Sequence, residues 1–123
     1  MKAPLALIIE DDEIIAQIFS VAVSAAQFEV IVIRDGVEAL EILRTADPDL
    51  IILDLHLPGV SGHVLLREIR KDNRLKDSKV IIVTADATQS EFLRVQSDEV
   101  LIKPIGFHTM REAAIRYRPV NMS

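Results

Sequence analysis

Cysteine and tryptophan are absent from the 123 residues, and aromatic side chains make up only 4% of them. Without cysteine, the chain has no disulfide bond, no thiolate ligand for zinc and no cysteine nucleophile. Half of the residues are nevertheless hydrophobic, so the core is expected to be aliphatic, built from Ile, Leu, Val and Ala. A chain of this length can bury one sizeable core, and we expect a single domain over residues 1–123.

Long apolar runs are also missing, and none approaches the roughly 20 residues that a membrane-spanning helix needs. The apolar start of the chain is interrupted by Glu10, Asp11 and Asp12, and no small-residue cleavage site follows, so we predict no signal peptide. We therefore expect a soluble, cytoplasmic protein without membrane insertion. The formal net charge of −5 argues against nucleic acid as a direct partner.

Short apolar runs alternate with segments of helical spacing along the whole chain. Predicted strands cover residues 5–9, 29–33, 50–53, 79–83 and 100–102. Predicted helices cover residues 13–26, a segment from Asp35 to the stop at Asp47-Pro48, about 61–71, 88–95 and 109–117, with a solvated loop at 72–77. Near-continuous apolar strands indicate a parallel sheet with helices on both faces. The predicted fold class is α/β, a (βα)5 doubly wound, flavodoxin-like parallel sheet of order 2-1-3-4-5.

Capping residues and the spacing of apolar residues predict where the helices begin and which of their side chains face inward. Asp12 and Ser61 are candidate N-caps, and capping-box patterns start at Asp35, Thr88 and Thr109. The apolar positions expected to face inward are Ile14, Ile18, Val21, Ala22 and Ala25 in the first helix, Val37, Leu40 and Leu43 in the second, and Val64, Leu65 and Ile69 in the third.

Four of the five predicted strands end in residues that can carry chemistry. These residues are Glu10 and Asp11 after the first strand, Asp54 after the third, Thr84 after the fourth and Lys103 after the fifth. Because parallel strands share one carboxyl edge, these side chains can converge in one crevice. Crowded carboxylates require raised pKa values or a cation, and oxygen ligands without His or Cys suit Mg²⁺ best. A hydroxyl and an ammonium beside them suit phosphoryl oxygens, and an aspartate there can become an aspartyl-phosphate.

Four motifs in this order resemble the signature of the receiver domain of two-component response regulators. They are the acidic start IIEDDE, the strand and turn LIILDLHLPGVSG, and the later strands VIIVTA and LIKP. The resemblance covers essentially the whole chain. It implies a single-domain, chemotaxis-regulator-like signalling module rather than an enzyme, one that catalyses only its own phosphorylation and dephosphorylation. The implied partners are a sensor histidine kinase or histidine phosphotransfer protein and a downstream protein target, with a homodimer left open.

The resemblance also implies a metal site around the phosphoryl acceptor. Asp54 would be the residue phosphorylated, in a reaction that depends on Mg²⁺. Asp11, Asp54 and the backbone carbonyl of His56 would bind the ion directly. Glu10 would act on it through water.

Further roles are implied for the later strands. Thr84 would bond a phosphoryl oxygen and follow it inward, and Lys103 would pair with the phosphate charge. Pro104 would be preceded by a cis peptide bond. The side chains at His56 and Asp86 would tune how fast water removes the phosphoryl group.

Three features depart from the family pattern. Val100 stands where a Tyr or Phe usually couples to the threonine, Ile105 replaces a common Phe, and the connection from Thr84 to Lys103 is short. These departures leave the phosphorylation chemistry intact. They predict a truncated or irregular fourth helix and an altered output face, and they keep open a degenerate receiver that acts as a constitutive interaction domain.

Two other classes fit the residues less well. A haloacid-dehalogenase-type phosphatase needs a second acid two residues after its nucleophile, where this chain has His56, and a cap domain for which this chain has no room. A nucleotide- or flavin-binding protein needs a Gly-rich loop after the first strand, and no glycine occurs before Gly36.

Overall fold

The computed structural model describes residues 2–120, in which strands and helices alternate. The strands are β1 (Leu5–Ile9), β2 (Glu29–Ile33), β3 (Leu50–Asp54), β4 (Lys79–Thr84) and β5 (Glu99–Ile102). The α-helices are α1 (Glu13–Ala25), α2 (Gly36–Leu43), α3 (Gly62–Lys71), α4 (Ser90–Gln96) and α5 (Phe107–Arg116). The predicted (βα)5 order is confirmed, and the short α4 agrees with the short connection between Thr84 and Lys103.

The five strands pair in parallel in one sheet of order β2-β1-β3-β4-β5, as predicted. β3 lies at the centre, and all five of its residues are buried, which explains its unbroken apolar run before Asp54. β2 is an edge strand, and its Ile31 and Val32 are partly exposed. The carboxyl ends of β1, β3 and β4 consequently lie side by side.

Helices cover both faces of the sheet. Residues of α1 and α5 share one core cluster with the sheet, formed among others by Phe19, Ala22, Val23, Met110, Ala113 and Ala114. Residues of α2, α3 and α4 share the other, formed among others by Ala39, Leu43, Leu65, Leu66, Ile69 and Leu93. Within residues 2–120, no helix is long and apolar enough to cross a membrane.

Helix α1 turns a different side to the sheet from the one predicted. Its buried residues are Ala16, Phe19, Ala22 and Val23. Of the predicted positions only Ala22 is buried, whereas Ile14 and Val21 are 71% and 55% exposed. The helix is apolar on two sides, so the spacing of apolar residues did not identify the buried one. The sheet selects the side with Phe19, which packs in one cluster with Ala113 of α5.

Two valines in the first turns of α2 and α3 were also predicted to face inward, and this prediction is wrong. Val37 and Val64 are 54% and 38% exposed, although the predicted Leu43, Leu65 and Ile69 are buried. In both helices the inward position of the first turn belongs to a glycine, Gly36 in α2 and Gly62 in α3. A Cβ at either glycine would overlap neighbouring backbone, which explains why the closest approach occurs there.

The helix N-caps agree with the prediction in three cases and differ in two. Side-chain oxygens of Asp12, Asp35 and Ser61 accept hydrogen bonds from the backbone N–H groups of Ile15, Glu38 and Val64. The patterns at Thr88 and Thr109 do not cap α4 and α5, which begin at Ser90 and Phe107. Asp86 acts as a cap here in place of Thr88. Its Oδ1 accepts hydrogen bonds from both the backbone N–H and the hydroxyl of Thr88 and caps a 3₁₀ turn at Ala87–Gln89.

The charged connection after α3 is not simply a solvated loop. It contains a 3₁₀ turn at Asn73–Leu75, and Leu75 is buried in the core. The Arg74 guanidinium donates to the backbone carbonyls of Leu43 and Ala46 at the C-terminal end of α2. This contact satisfies helix-end carbonyls that would otherwise lack a partner.

Candidate phosphoryl-acceptor and metal site

The residues predicted to carry chemistry meet at the carboxyl edge of the sheet. Asp54 and Thr84 are the last residues of β3 and β4, and Glu10 and Lys103 directly follow β1 and β5. Glu10, Asp54 and Thr84 are 1%, 2% and 1% exposed. Three polar groups are thus held inside the end of a hydrophobic sheet, where polar groups need partners to offset the loss of water.

Three carboxylates form the acidic part of this site. One oxygen each from Glu10, Asp11 and Asp54 lies within 4.8 Å of the others. Asp11 is the exposed member of the trio, whereas the other two are buried. Glu10 Oε1 is buried without a hydrogen-bond partner among the described residues. Such an arrangement of oxygen donors fits a hard divalent cation, and Mg²⁺ in particular, because it would compensate the repulsion between the carboxylates.

Lys103 supplies the positive charge of the site. Its Nζ lies 3.2 Å from Glu10 Oε1 and 3.4 Å from Asp54 Oδ2. The contact with Asp54 has hydrogen-bond geometry, whereas the contact with Glu10 is an ion pair only. Burial alone would lower the pKa of Lys103, but attraction to the Asp54 and Glu10 carboxylates outweighs it and raises the pKa. Lys103 therefore stays charged near neutral pH.

Glu10 is the group whose protonation is most affected by the fold. Burial, reinforced by the neighbouring Asp54, raises the pKa of Glu10 to about 7. The hydrogen bond from the Asp12 backbone N–H to Glu10 Oε2, 3.1 Å long, and the charge of Lys103 act in the opposite direction. Without a metal, Glu10 thus carries a proton for part of the time at neutral pH.

Backbone N–H groups hold the side chains of Asp54 and Thr84 in place by hydrogen bonds. The His56 N–H donates to Asp54 Oδ1 at 3.1 Å, and the Asp86 N–H donates to Thr84 Oγ1 at 3.1 Å. Gly62 at the start of α3 donates its N–H to the Leu55 carbonyl at 3.1 Å, which ties the loop after β3 back onto that strand. Asp54 Oδ2 accepts a long hydrogen bond from Lys103 Nζ at 3.4 Å.

The structure also shows the surroundings of three further positions named in the sequence analysis. The Lys103–Pro104 peptide bond is cis, as the resemblance implied. Asp86 directs its carboxylate to Thr88, whose hydrogen bonds lower the pKa of Asp86. Val100 is buried in the same cluster as Leu93 of α4, so this position is a core contact.

Arg34 is a residue of this edge that the sequence reasoning passed over. It follows β2, the one strand whose end was assigned no chemistry, and its Nε and Nη2 donate to the Asp11 backbone carbonyl at 3.1 and 2.6 Å. The signal that could have identified it was the strand-end position itself, because β2 and β1 end side by side.

Sheet order and strand-end residues together define a doubly wound α/β protein whose acidic crevice lies at the carboxyl edge. This chain belongs to the response regulator receiver domain family, whose sequence profile matches residues 6–115. It is a receiver domain of two-component signal transduction, a signalling module rather than a classical enzyme. Members of this family bind Mg²⁺ in their active site and interact with histidine kinases or phosphotransfer proteins and with downstream targets.

Sequence relatives include single response regulators of similar length. The polar-differentiation response regulator DivK of Brucella anthropi is 35% identical over 103 residues, which cover 81% of this chain and 84% of DivK. The DivK protein of Brucella ovis has the same identity and coverage.

Solved structures support the fold. The chemotaxis response regulator CheY4 of Vibrio cholerae superimposes with a TM-score of 0.84 at 24% identity, over 94% of this chain and 99% of CheY4. The receiver domain of the sensor histidine kinase PA1611 from Pseudomonas aeruginosa has a TM-score of 0.83 at 23% identity, over 94% of this chain and 98% of that domain. The PA1611 structure has a magnesium ion coordinated in its active site cleft.

Proposed function

We propose that Asp54 accepts a phosphoryl group from a phosphohistidine of a sensor histidine kinase or histidine phosphotransfer protein. In this reaction an Asp54 carboxylate oxygen forms a bond to phosphorus, the phosphorus–nitrogen bond breaks, and the imidazole leaves with the bonding electrons. The observation that carries the proposal is the position of Asp54, buried at the carboxyl end of the central strand with Lys103 and two further carboxylates around it. The unit is a single receiver domain over residues 1–123, acting in the cytoplasm without direct contact with nucleic acid.

Asp11, Asp54 and the His56 backbone carbonyl would hold Mg²⁺ directly, with Glu10 acting through water. The ion, when bound, supplies positive charge for the phosphoryl oxygens. This assignment is supported by the oxygen-only donor set and by the buried Oε1 of Glu10, which has an ion pair with Lys103 but accepts no hydrogen bond from the described residues. Deprotonation of Glu10 is part of metal binding in this proposal, since a nearby divalent cation favours the charged form of a carboxyl group.

Two further side chains act on the transferred group. The Lys103 ammonium moves from its ion pairs with Asp54 and Glu10 to the phosphoryl oxygens, where it offsets their negative charge. The Thr84 hydroxyl, which accepts from the Asp86 N–H in this structure, donates to a phosphoryl oxygen. Asp54 Oδ1 remains held by the His56 N–H, so that Oδ2 is the oxygen presented for attack.

Signalling would then proceed through protein contacts. Movement of Thr84 toward the phosphoryl group pulls on Asp86, which caps the 3₁₀ turn that leads into α4. α4 is short, with Phe92 and Val95 exposed at 66% and 86%, and its displacement would change the surface offered to a downstream protein or a second copy of this chain.

One observation favours a second reading, a receiver that is never phosphorylated and acts as a constitutive interaction domain. Val100 replaces the aromatic residue that usually couples to the threonine, and it is locked in the core with Leu93. If the switch has lost this coupling, the folded domain itself would be the signal.

The deciding experiment is intact-protein mass spectrometry after incubation with Mg²⁺ and acetyl phosphate. The native chain should gain one phosphoryl mass, and hydroxylamine should remove it, as expected of an acyl phosphate. Asp54→Asn should gain none, whereas Asp77→Asn, which changes an exposed aspartate outside the site, should behave like the native chain. A native chain that binds Mg²⁺ without gaining mass would overturn the proposal and support the constitutive reading.

A further inference from the structure

Arg34, the residue after β2, donates two hydrogen bonds to Asp11. Its guanidinium reaches the backbone carbonyl of Asp11 with two donors, Nε at 3.1 Å and Nη2 at 2.6 Å. The planar guanidinium has fixed donor directions, so a two-donor contact restrains both position and orientation of its acceptor. Arg34 itself is placed by the β2–β1 ladder, in which Ile33 pairs with Ile9.

The neighbours of Asp11 are held by other groups. Glu10 donates its N–H to the Ile33 carbonyl at 3.0 Å, and Asp12 is fixed by its N–H bond to Glu10 Oε2 and by capping α1. Asp11 lies between them, and although its side chain is exposed, one of its carboxylate oxygens lies within 4.8 Å of oxygens of Glu10 and Asp54. The bonds to its carbonyl come from Arg34.

We infer that Arg34 is a positioning residue for the metal site, holding the backbone of Asp11 so that its carboxylate faces Asp54. The inference rests on the proposed function in that it takes Asp11 as a ligand of Mg²⁺. Arg34 also has an opposite effect, because its positive charge repels a divalent cation. That charge is exposed to water, whose high dielectric constant weakens the repulsion, whereas nothing compensates for a displaced ligand. Positioning therefore dominates, and removal of Arg34 weakens metal binding.

The sign of this effect makes the inference testable with Mn²⁺, an oxygen-preferring cation whose free signal in electron paramagnetic resonance falls on binding. Arg34→Gln should raise the dissociation constant about tenfold, the lower end of what loss of an outer partner of a metal ligand costs. Arg34→Lys, which keeps the charge with a single donor group, should fall between Arg34→Gln and the native chain. Arg44→Gln removes the same charge at the C-terminal end of α2, at the opposite end of the sheet, and should bind like the native chain.

A double-mutant cycle separates positioning from a general structural role. If Arg34 acts through Asp11, then Arg34→Gln should add little to the loss already caused by Asp11→Asn. Melting in EDTA should be nearly unchanged for Arg34→Gln, since the contact is exposed. Binding that stays equal or tightens in Arg34→Gln would overturn the inference while leaving the proposed function intact. A native chain without measurable Mn²⁺ or Mg²⁺ binding would overturn both.

Discussion

Glu10 shows at the scale of one residue how the fold sets the chemistry of a side chain. The carboxyl group is 1% exposed and lies beside Asp54, and its pKa rises to about 7 from an ordinary 4.5. Asp12 belongs to the same acidic run, but its exposed carboxylate caps a helix. Acids two residues apart in the sequence therefore have different environments, because Glu10 directly follows β1 whereas Asp12 caps α1.

The raised pKa of Glu10 predicts a pH dependence of stability in the absence of metal. Between pH 4.5 and 7 the folded chain retains a proton that the unfolded chain has released, so the free energy of unfolding falls as pH rises through this window. The full effect is about 3 kcal/mol. Glu10→Gln, which resembles the protonated side chain, should flatten this slope in urea titrations monitored by circular dichroism in EDTA. Parallel pH profiles for the two chains would contradict the prediction.

Helix α1 shows at the scale of an element that apolar spacing identifies a helix without identifying its buried side. Phe19, Ala22 and Val23 face the sheet, although Ile14 and Val21 were the expected positions. Ile14 lies in the first turn of α1, close in sequence to the acidic residues, whereas Val21 lies about two turns further along the helix.

The orientation of α1 predicts that valine-to-alanine substitutions two residues apart lower the free energy of unfolding by very different amounts. Val23 is fully buried and Val21 is 55% exposed. Val23→Ala should lower the free energy of unfolding by about 2 kcal/mol, through lost burial and an incompletely filled cavity. Val21→Ala should change it by less than about 0.5 kcal/mol. Chemical denaturation of both variants tests this, and an equal loss in the two would mean that α1 is rotated from the orientation described.

Helix α3 begins at a glycine that permits close packing beneath Asp54. A Cβ on Gly62 would lie 2.5 Å from Leu55 Cα and 2.6 Å from the Asp54 carbonyl oxygen, whereas a Cβ on Gly106 would meet nothing within 4 Å. Gly62→Ala should therefore destabilise the chain by about 2 kcal/mol or more and shift the loop after Asp54. Gly106→Ala should be tolerated to within about 0.5 kcal/mol. Urea titration compares the two, and a tolerated Gly62→Ala would argue against this approach of α3 to β3.

At the scale of the whole molecule, the sheet brings together residues that are up to 93 positions apart, from Glu10 to Lys103. The connection from β4 to β5 can be short, since the two strands are neighbours in the sheet and only the short helix α4 lies between them. A cation bound at the shared edge would stabilise the entire fold, because no such site exists in the unfolded chain.

Linkage between metal binding and folding predicts a stabilisation by Mg²⁺ that depends on pH. At a free Mg²⁺ concentration a hundredfold above the dissociation constant, the gain should be about 2.7 kcal/mol. The gain should be larger at pH 8 than at pH 6, because at pH 6 Glu10 must first lose its proton. Thermal melting with Mg²⁺ and with EDTA measures it.

A matched pair of variants identifies the source of this stabilisation. Asp11→Asn should remove most of it, whereas Asp35→Asn, which retains a good N-cap for α2 at the same edge of the sheet, should keep it. Equal stabilisation of both variants would show that Mg²⁺ acts elsewhere on this acidic chain.

Much of the fold and of the site could be predicted from the sequence by itself. Buried parallel strands have a compositional pattern, and a polar residue directly after such a strand lies at the carboxyl edge whatever the details of packing. For this reason Asp54, Thr84 and Lys103 could be placed together before any coordinates were known.

Tertiary structure decided the features that depend on neighbours distant in sequence. Which side of α1 is buried depends on α5, and the inward positions of α2 and α3 belong to glycines because backbone approaches them. The contact of Arg34 with Asp11 and the raised pKa of Glu10 likewise depend on the pairing of β2 with β1 and on burial beside Asp54. Local sequence determines where a strand ends, but only the assembled sheet determines what lies beside that end.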